Sequence, residues 1–130
     1  MALRHDRGRR GEDLAARFFE SLGWTVVDRN WRTGHVELDL VVRSGCTIAF
    51  VEVKTRAYSG PESSEFDPLD SLTPRKRRDV ERASAAWVRM RPEALRGART
   101  LRFDAVAVEL VPGRPPKVRH VPDAWRAGER

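Results

Sequence analysis

An α/β domain, with helices packed against a mixed sheet, follows from three observations in this 130-residue chain. Two stretches carry apolar residues at helical spacing. β-prone runs lie between and after them, in the order α-β-β-β-α-β-β. The run from Cys46 to Arg56 is apolar on both faces at its centre, which marks a strand interior to a sheet.

The first helix spans about Arg9 to Leu22, where Leu14, Ala15, Phe18, Phe19 and Leu22 repeat at helical spacing. Gly23 follows as its C-terminal stop. Trp24 to Val27 is a short β-prone run, and the polar stretch Asn30 to Gly34 reads as a turn or loop. In Val36 to Val42, Val36, Leu38, Leu40 and Val42 point one way and Glu37, Asp39 and Val41 the other. Arg43-Ser44-Gly45 turns the chain into Cys46–Arg56, so the two strands form an antiparallel hairpin. On the second of them Ile48, Phe50, Glu52, Lys54 and Arg56 share a face.

Ala57 to Leu72 contains Gly60, Pro61, Pro68 and the acids Glu62, Glu65, Asp67 and Asp70. A loop of this length is a functional flap or a tolerated surface insertion. Thr73-Pro74 opens the second helix as N-cap and first residue. Val80, Ala83, Trp87 and Met90 form its stripe, and Pro92 stops it. Leu101 to Val111 is a strand, Pro112-Gly113 a turn, and Lys117 to Val121 a last edge strand flanked by prolines. The whole chain, 1–130, reads as a single domain with its core in about 8–121 and a polar, frayed tail over 122–130.

Lys and Arg number 25 against 19 Asp and Glu, a formal charge of +6, which favours a polyanion partner such as nucleic acid. No run approaches the roughly 20 apolar residues a bilayer span needs. The basic stretch Met1–Arg10 has no apolar segment behind it, so no secretory signal is expected. Cys46 has no partner for an internal disulfide, in keeping with a cytoplasmic location. His5, His35 and His120 are scattered and make no zinc cluster with it.

Asp39, Glu52 and Lys54 interrupt apolar strands, where such groups are rarely buried unless paired or bound to a metal. If the hairpin sets Asp39 beside Glu52, crowded carboxylates meet a lysine, and a divalent cation relieves their repulsion. Glu12 lies on the core-facing side of the first helix with Ala15, Phe19 and Leu22, as a further ligand or as a helix-terminal charge. Asp…Glu-x-Lys suits metal-assisted phosphodiester hydrolysis, whereas a strand salt bridge is the alternative for Glu52 and Lys54. Arg75, Lys76, Arg77 and Arg78 crowd the first turn of the second helix, where its dipole disfavours cations. A phosphate backbone would reward them; a solvated charge run merely tolerates them.

Gly11-Glu12-Asp13-Leu14-Ala15, Gly23-Trp24, Arg29-Asn30-Trp31-Arg32, Glu37-Leu38-Asp39-Leu40-Val41 and Phe50-Val51-Glu52-Val53-Lys54-Thr55-Arg56 form a set. With Lys76 and Arg102-Phe103-Asp104, this set resembles the YraN-like bacterial proteins over about residues 8–111. That family is similar to the restriction-endonuclease-like superfamily, nearest to archaeal-type Holliday-junction resolvases. The resemblance implies a nuclease core with Asp39, Glu52 and Lys54 as its catalytic site, Glu12 joining the Mg²⁺ or Mn²⁺ ligands, and Glu37 as an additional acidic residue. It also implies a two-fold homodimer, since paired cuts need two sites. One departure is local: the family's glycine before Glu-x-Asp is Val36 here, with Gly34 two residues earlier.

The leading expectation is therefore a Mg²⁺-dependent endonuclease on structured or branched DNA. Asp39, Glu52 and Glu12 would hold metal, Lys54 would place water, and Arg56, Arg75, Lys76 and Arg78 would hold the backbone. A nucleic-acid-binding module with a nuclease-like fold that cuts nothing is the alternative. A purely structural protein leaves the buried charges unexplained.

Overall fold

Strands that are apolar on both faces need cover on both sides, and the two helices supply it. The computed structural model describes residues 3–58 and 67–129, with side chains from Gly8 onward. The side chains of His5, Glu62 and Glu65, and half of the expected flap (59–66), lie outside the described residues. The elements are α1 (Leu3–Ser21), β1 (Thr25–Thr33), β2 (Val36–Ser44), β3 (Thr47–Ala57), α2 (Pro74–Met90), β4 (Thr100–Leu110) and β5 (Lys117–Trp125). Short 3₁₀ turns at Pro68–Ser71 and Pro92–Leu95 flank α2. Among the described residues no helix is long and apolar enough to cross a membrane.

The five strands lie side by side in chain order. β1–β2, β2–β3 and β4–β5 are antiparallel, and β3–β4 is parallel, with α2 in the crossover. This is the mixed, helix-flanked sheet expected of a restriction-endonuclease-like core. Under α1, Ala15 and Phe19 pack on Leu40, Val42, Ala49, Val51, Val106 and Val108. On the opposite face Val80, Ala83 and Trp87 of α2 pack on Val41, Ile48, Phe50 and Ala105. Each large side chain so buried contributes about 1.5–3 kcal/mol.

Several local expectations change. Asn30 to Gly34 is not a loop: β1 runs through Thr33, and only Gly34 and His35 turn the chain. Leu22 and Met90 do not complete their helical stripes, being 60% and 67% exposed. Leu22 follows the last residue of α1, and Met90 is the last of α2, so neither has a facing partner layer. β5 continues past Pro122 to a buried Trp125, because a register shift in the β4–β5 ladder and a left-handed Asp123 (φ 51°) absorb the proline. The tail is tied down: Trp125 Nε1 and Gly128 N–H both donate to Glu81 of α2, at 3.0 and 3.1 Å. The single cysteine, Cys46, sits exposed in the β2–β3 turn.

β4 and β5 are joined by a buried polar knot. Asp104 is fully buried and accepts from Arg102 Nε and Nη2 at 2.8 and 2.9 Å and from Asp123 N–H at 3.0 Å. His120 Nε2 stands 2.7 Å from its other face. Burial alone would raise the Asp104 carboxyl, but the bonds from His120, Arg102 and Asp123 outweigh it and hold the group below its ordinary range.

Two predictions follow from these contacts. Gly11 lies flat on β3: a Cβ there would stand 1.8 Å from Thr55 Oγ1 and 2.9 Å from Thr55 Cβ. Gly11→Ala should destabilise the fold by about 1–3 kcal/mol in urea unfolding, and Thr55→Ala should restore part of that loss. An unchanged midpoint in Gly11→Ala would contradict the contact. Asp104→Asn, which leaves buried guanidinium donors facing an amide, should cost about 3 kcal/mol at neutral pH. Because the native pKa is depressed, the stabilisation is present above about pH 4 and lost as pH falls through the native value. The gap between wild type and Asp104→Asn should therefore close in acid.

Candidate active site

The hairpin of β2 and β3 delivers two carboxylates to one place. Their ladder runs from Ser44↔Thr47 to Leu40↔Val51, and Asp39 and Glu52 are one step beyond it. There the side chain replaces the backbone: Val53 N–H donates to Asp39 Oδ2 at 2.8 Å. The strands part at this point, and Leu38 turns into the cluster under α2 instead of following Leu40 toward α1. Asp39 is 6% and Glu52 3% exposed. Burial, and then the charge of Glu52, push the Asp39 carboxyl well above the usual range, while the Val53 N–H pulls the other way. The Glu52 carboxylate thus stands close enough to disfavour the charged form of Asp39.

Two ammonium groups face the same oxygen of Glu52. Lys54 Nζ is 3.3 Å and Lys76 Nζ 3.6 Å from Oε2. Oε1 is buried and accepts no hydrogen bond. Lys54 arrives by period two on β3. Lys76 comes from the first turn of α2 and is the member of the basic run that reaches Glu52. Burial would lower the Lys76 pKa, but Glu52, Asp39 and Glu37 raise it overall and keep it charged.

Glu12 reaches this corner from the other face of the sheet, half-buried and close enough to Asp39 for the two to influence each other. Burial first, and then the charge of Glu37, raise its pKa; Asn30 and Arg29 act against them. Asn30 was not singled out for chemistry by sequence, yet it clasps Glu12. With its amide nitrogen toward the carboxylate, it lies 2.7 Å from Oε1 and 3.2 Å from Oε2. It does so from a left-handed backbone at φ 49°, which Asn tolerates better than other side chains. Next to it, Arg29 pairs with Asp13, fixing α1 to β1. The signal available in sequence was the polar Arg-Asn pair inside a β-prone run.

The remaining expected residues lie outside this knot. Glu37 pairs with Arg32 at 3.0 Å on the rim. Arg56, on the face of Glu52 and Lys54, stands 5.2 Å over the ring of Tyr58. Arg75 and Arg78 are exposed on α2, and Arg77 is half-buried with its Nε lacking a partner.

The family model described as "Uncharacterised protein family UPF0102" matches residues 11–108, a span that contains every residue of this site. The chain belongs to the UPF0102 family. UPF0102 is the uncharacterised family that the YraN-like resemblance indicated. Its similar members include a UPF0102 protein of Rhodococcus opacus (strain B4), 38% identical over 118 residues, covering 91% of this chain and 94% of that one. Another, from Nitratidesulfovibrio vulgaris (strain DP4), is 42% identical over 122 residues, covering 94% and 85%. A third, from Geobacter sulfurreducens, is 36% identical over 118 residues, covering 91% and 87%.

The donor set of this UPF0102 chain fits a hard divalent cation. Its oxygens are carboxylates, and one of them, Glu52 Oε1, is buried with no donor of its own. Among the described residues no three acidic, imidazole or thiol groups close around one point, so there is no all-protein cage. Mg²⁺ does not need one, since it commonly keeps waters and takes one or two carboxylates plus phosphate oxygens. Asp39 and Glu52 would be those carboxylates, with Glu12 beside them.

Asn30→Gly tests the clasp on Glu12. Glycine accepts the left-handed backbone without strain, so the fold should hold while the amide donor is lost. A donor to the charged form lowers a carboxyl pKa, so the Glu12 value, read from its side-chain carbon by NMR titration, should move further up. An unmoved titration curve would show that the amide does not hold Glu12.

Proposed function

We propose that this chain is an endonuclease that hydrolyses phosphodiester bonds in structured or branched DNA, with Mg²⁺ or Mn²⁺ as its cofactor. The observation that carries the reading is Glu52: a buried carboxylate with two ammonium groups on one oxygen, nothing on the other, and Asp39 pressed against it. A fold needing only a salt bridge has no use for a second acid there, since paired buried carboxylates repel.

Asp39 and Glu52 would hold the cation, which when bound supplies Lewis-acid polarisation of the phosphate and a more acidic water. With Glu52 engaged as a metal ligand, Lys54 and Lys76 would be free to face the phosphate. Lys54 would donate to the attacking water or to a phosphate oxygen, and Lys76 would stabilise negative charge as it builds. Glu12, kept in place by Asn30, would orient water from the α1 side. Arg56, Arg75 and Arg78 would take flanking phosphates as charge-assisted, salt-sensitive contacts.

A non-cutting nucleic-acid-binding module is the competing reading. It is favoured by one observation, that Lys54 and Lys76 together balance the charge of Glu52. The two readings separate on a panel of four-way junctions, flaps, single strands and duplexes with Mg²⁺ or Mn²⁺. The endonuclease should cut at least one of them. Glu52→Gln and Lys54→Ala should each lower cutting by about 10²–10³-fold, with binding retained. Mg²⁺ should raise the thermal midpoint of the wild type, as any native-state ligand must, and not that of Asp39→Asn. Binding without cutting under every metal would establish the module instead.

A further inference from the structure

β3 and β4 form the parallel pair of the sheet, and in open α/β sheets ligands gather outside the carboxyl ends of such strands. A cleft of about 330 Å³ opens there. It is lined by Arg10 of α1, Ala57 and Tyr58 at the end of β3, Leu110 at the end of β4, and Pro112 and Arg114 of the β4–β5 connection. Its lining is polar and apolar in about equal measure, with two guanidinium groups from different elements. Arg10 and Arg114 are both exposed, and neither forms an ion pair among the described residues. A concave surface where two such cations converge beside apolar and aromatic side chains suits a ligand that is part anion and part flat ring.

The cleft is mechanically joined to the carboxylate pair. Gly11, pressed on Thr55, sits between Arg10 and Glu12. Two residues along a helix turn through about 200° at 3.6 residues per turn. The same contact that sends Glu12 to Asp39 therefore sends Arg10 the other way, to the cleft. Along β3, Lys54 and Arg56 occupy the face of Glu52 and lead to Tyr58. Five residues of strand separate Glu52 from Ala57, about 16 Å at the usual rise.

We propose that this cleft is a subsite for an unpaired nucleotide of the strand held at the carboxylate pair, with its flanking phosphates taken by Arg10 and Arg114. The inference rests on the nuclease reading and adds a substrate feature to it: a single-stranded segment several nucleotides from the reacting phosphate. The size argues for an unpaired nucleotide, since the cleft has room for one base and sugar but not for a duplex. The chemistry agrees, because guanidinium forks pair with phosphate and a base unstacked from its neighbours packs on apolar and aromatic side chains.

The test is fluorescence anisotropy with a labelled single strand of about 16 nucleotides and its duplex, over a salt series in EDTA. Arg10→Ala/Arg114→Ala should bind the single strand about tenfold more weakly. Its salt slope should fall by about 1.4, since each single-strand phosphate contact is worth about 0.7. Duplex binding should change much less. Arg96→Ala/Arg99→Ala, which removes equal charge ahead of the amino end of β4, should bind both probes as the wild type does. Equal losses in the two double variants, or no loss in the first, would overturn the subsite while leaving junction cutting by the wild type untouched. A wild type that binds neither probe nor cuts any junction would overturn the nuclease reading and the subsite together.

Discussion

The hydrogen bond from Val53 N–H to Asp39 Oδ2 decides the shape of this corner of the molecule. By taking the place of a ladder carbonyl, the Asp39 carboxylate ends the pairing of β2 with β3 while holding both strands at the parting. Two acids are thereby drawn out of water, which costs several kcal/mol per uncompensated charge. The chain offsets this with Lys54 and Lys76 on one oxygen of Glu52 and with the Val53 amide on Asp39. Glu52 Oε1 is left without a partner.

The parting of the strands also explains how residues from opposite faces of the sheet come to meet. α1 and α2 lie on different sides, each over its own apolar cluster. An intact sheet would keep Glu12 and Lys76 apart. Where β2 and β3 separate, the layer between them is open, and each helix extends one charged side chain to the same acids. The close seat of Gly11 on Thr55 and the clasp of Asn30 on Glu12 are local requirements of that convergence. Removing the side chain of residue 11 is what lets α1 come near enough.

Period-two alternation brought much of this into view from the sequence. It sets Glu52 and Lys54 on one face of β3 whatever else the chain does, and an apolar strand that carries both invites a chemical reading. The helical stripes of Ala15–Phe19 and Val80–Ala83–Trp87 were legible for the same reason. What alternation cannot express was missed. Leu38 leaves its face where β2 has parted from β3 and is paired with β1 alone. Asn30 acts through a left-handed backbone, which has no signature in an Asn that looks like a turn residue. Lys76 was one of four adjacent cations, and helix pitch alone, with no known orientation of α2, does not say which turns inward. Leu22 and Met90 fit their stripes in spacing but lie at helix ends, where no neighbour remains to cover them. Pro122 suggested that the last strand stops, whereas a register shift let it continue to Trp125.

The exposed thiol of Cys46 gives this geometry a practical side. It is the single cysteine of the chain, and it stands in the turn at the far end of β3 from the acids. Six residues of strand to Glu52 amount to about 20 Å. One maleimide dye would therefore label the molecule at a unique point, on rigid scaffolding, clear of the reactive corner. Under the proposed function, energy transfer from that point to a dye on an oligonucleotide would read out which way a bound strand runs across the sheet.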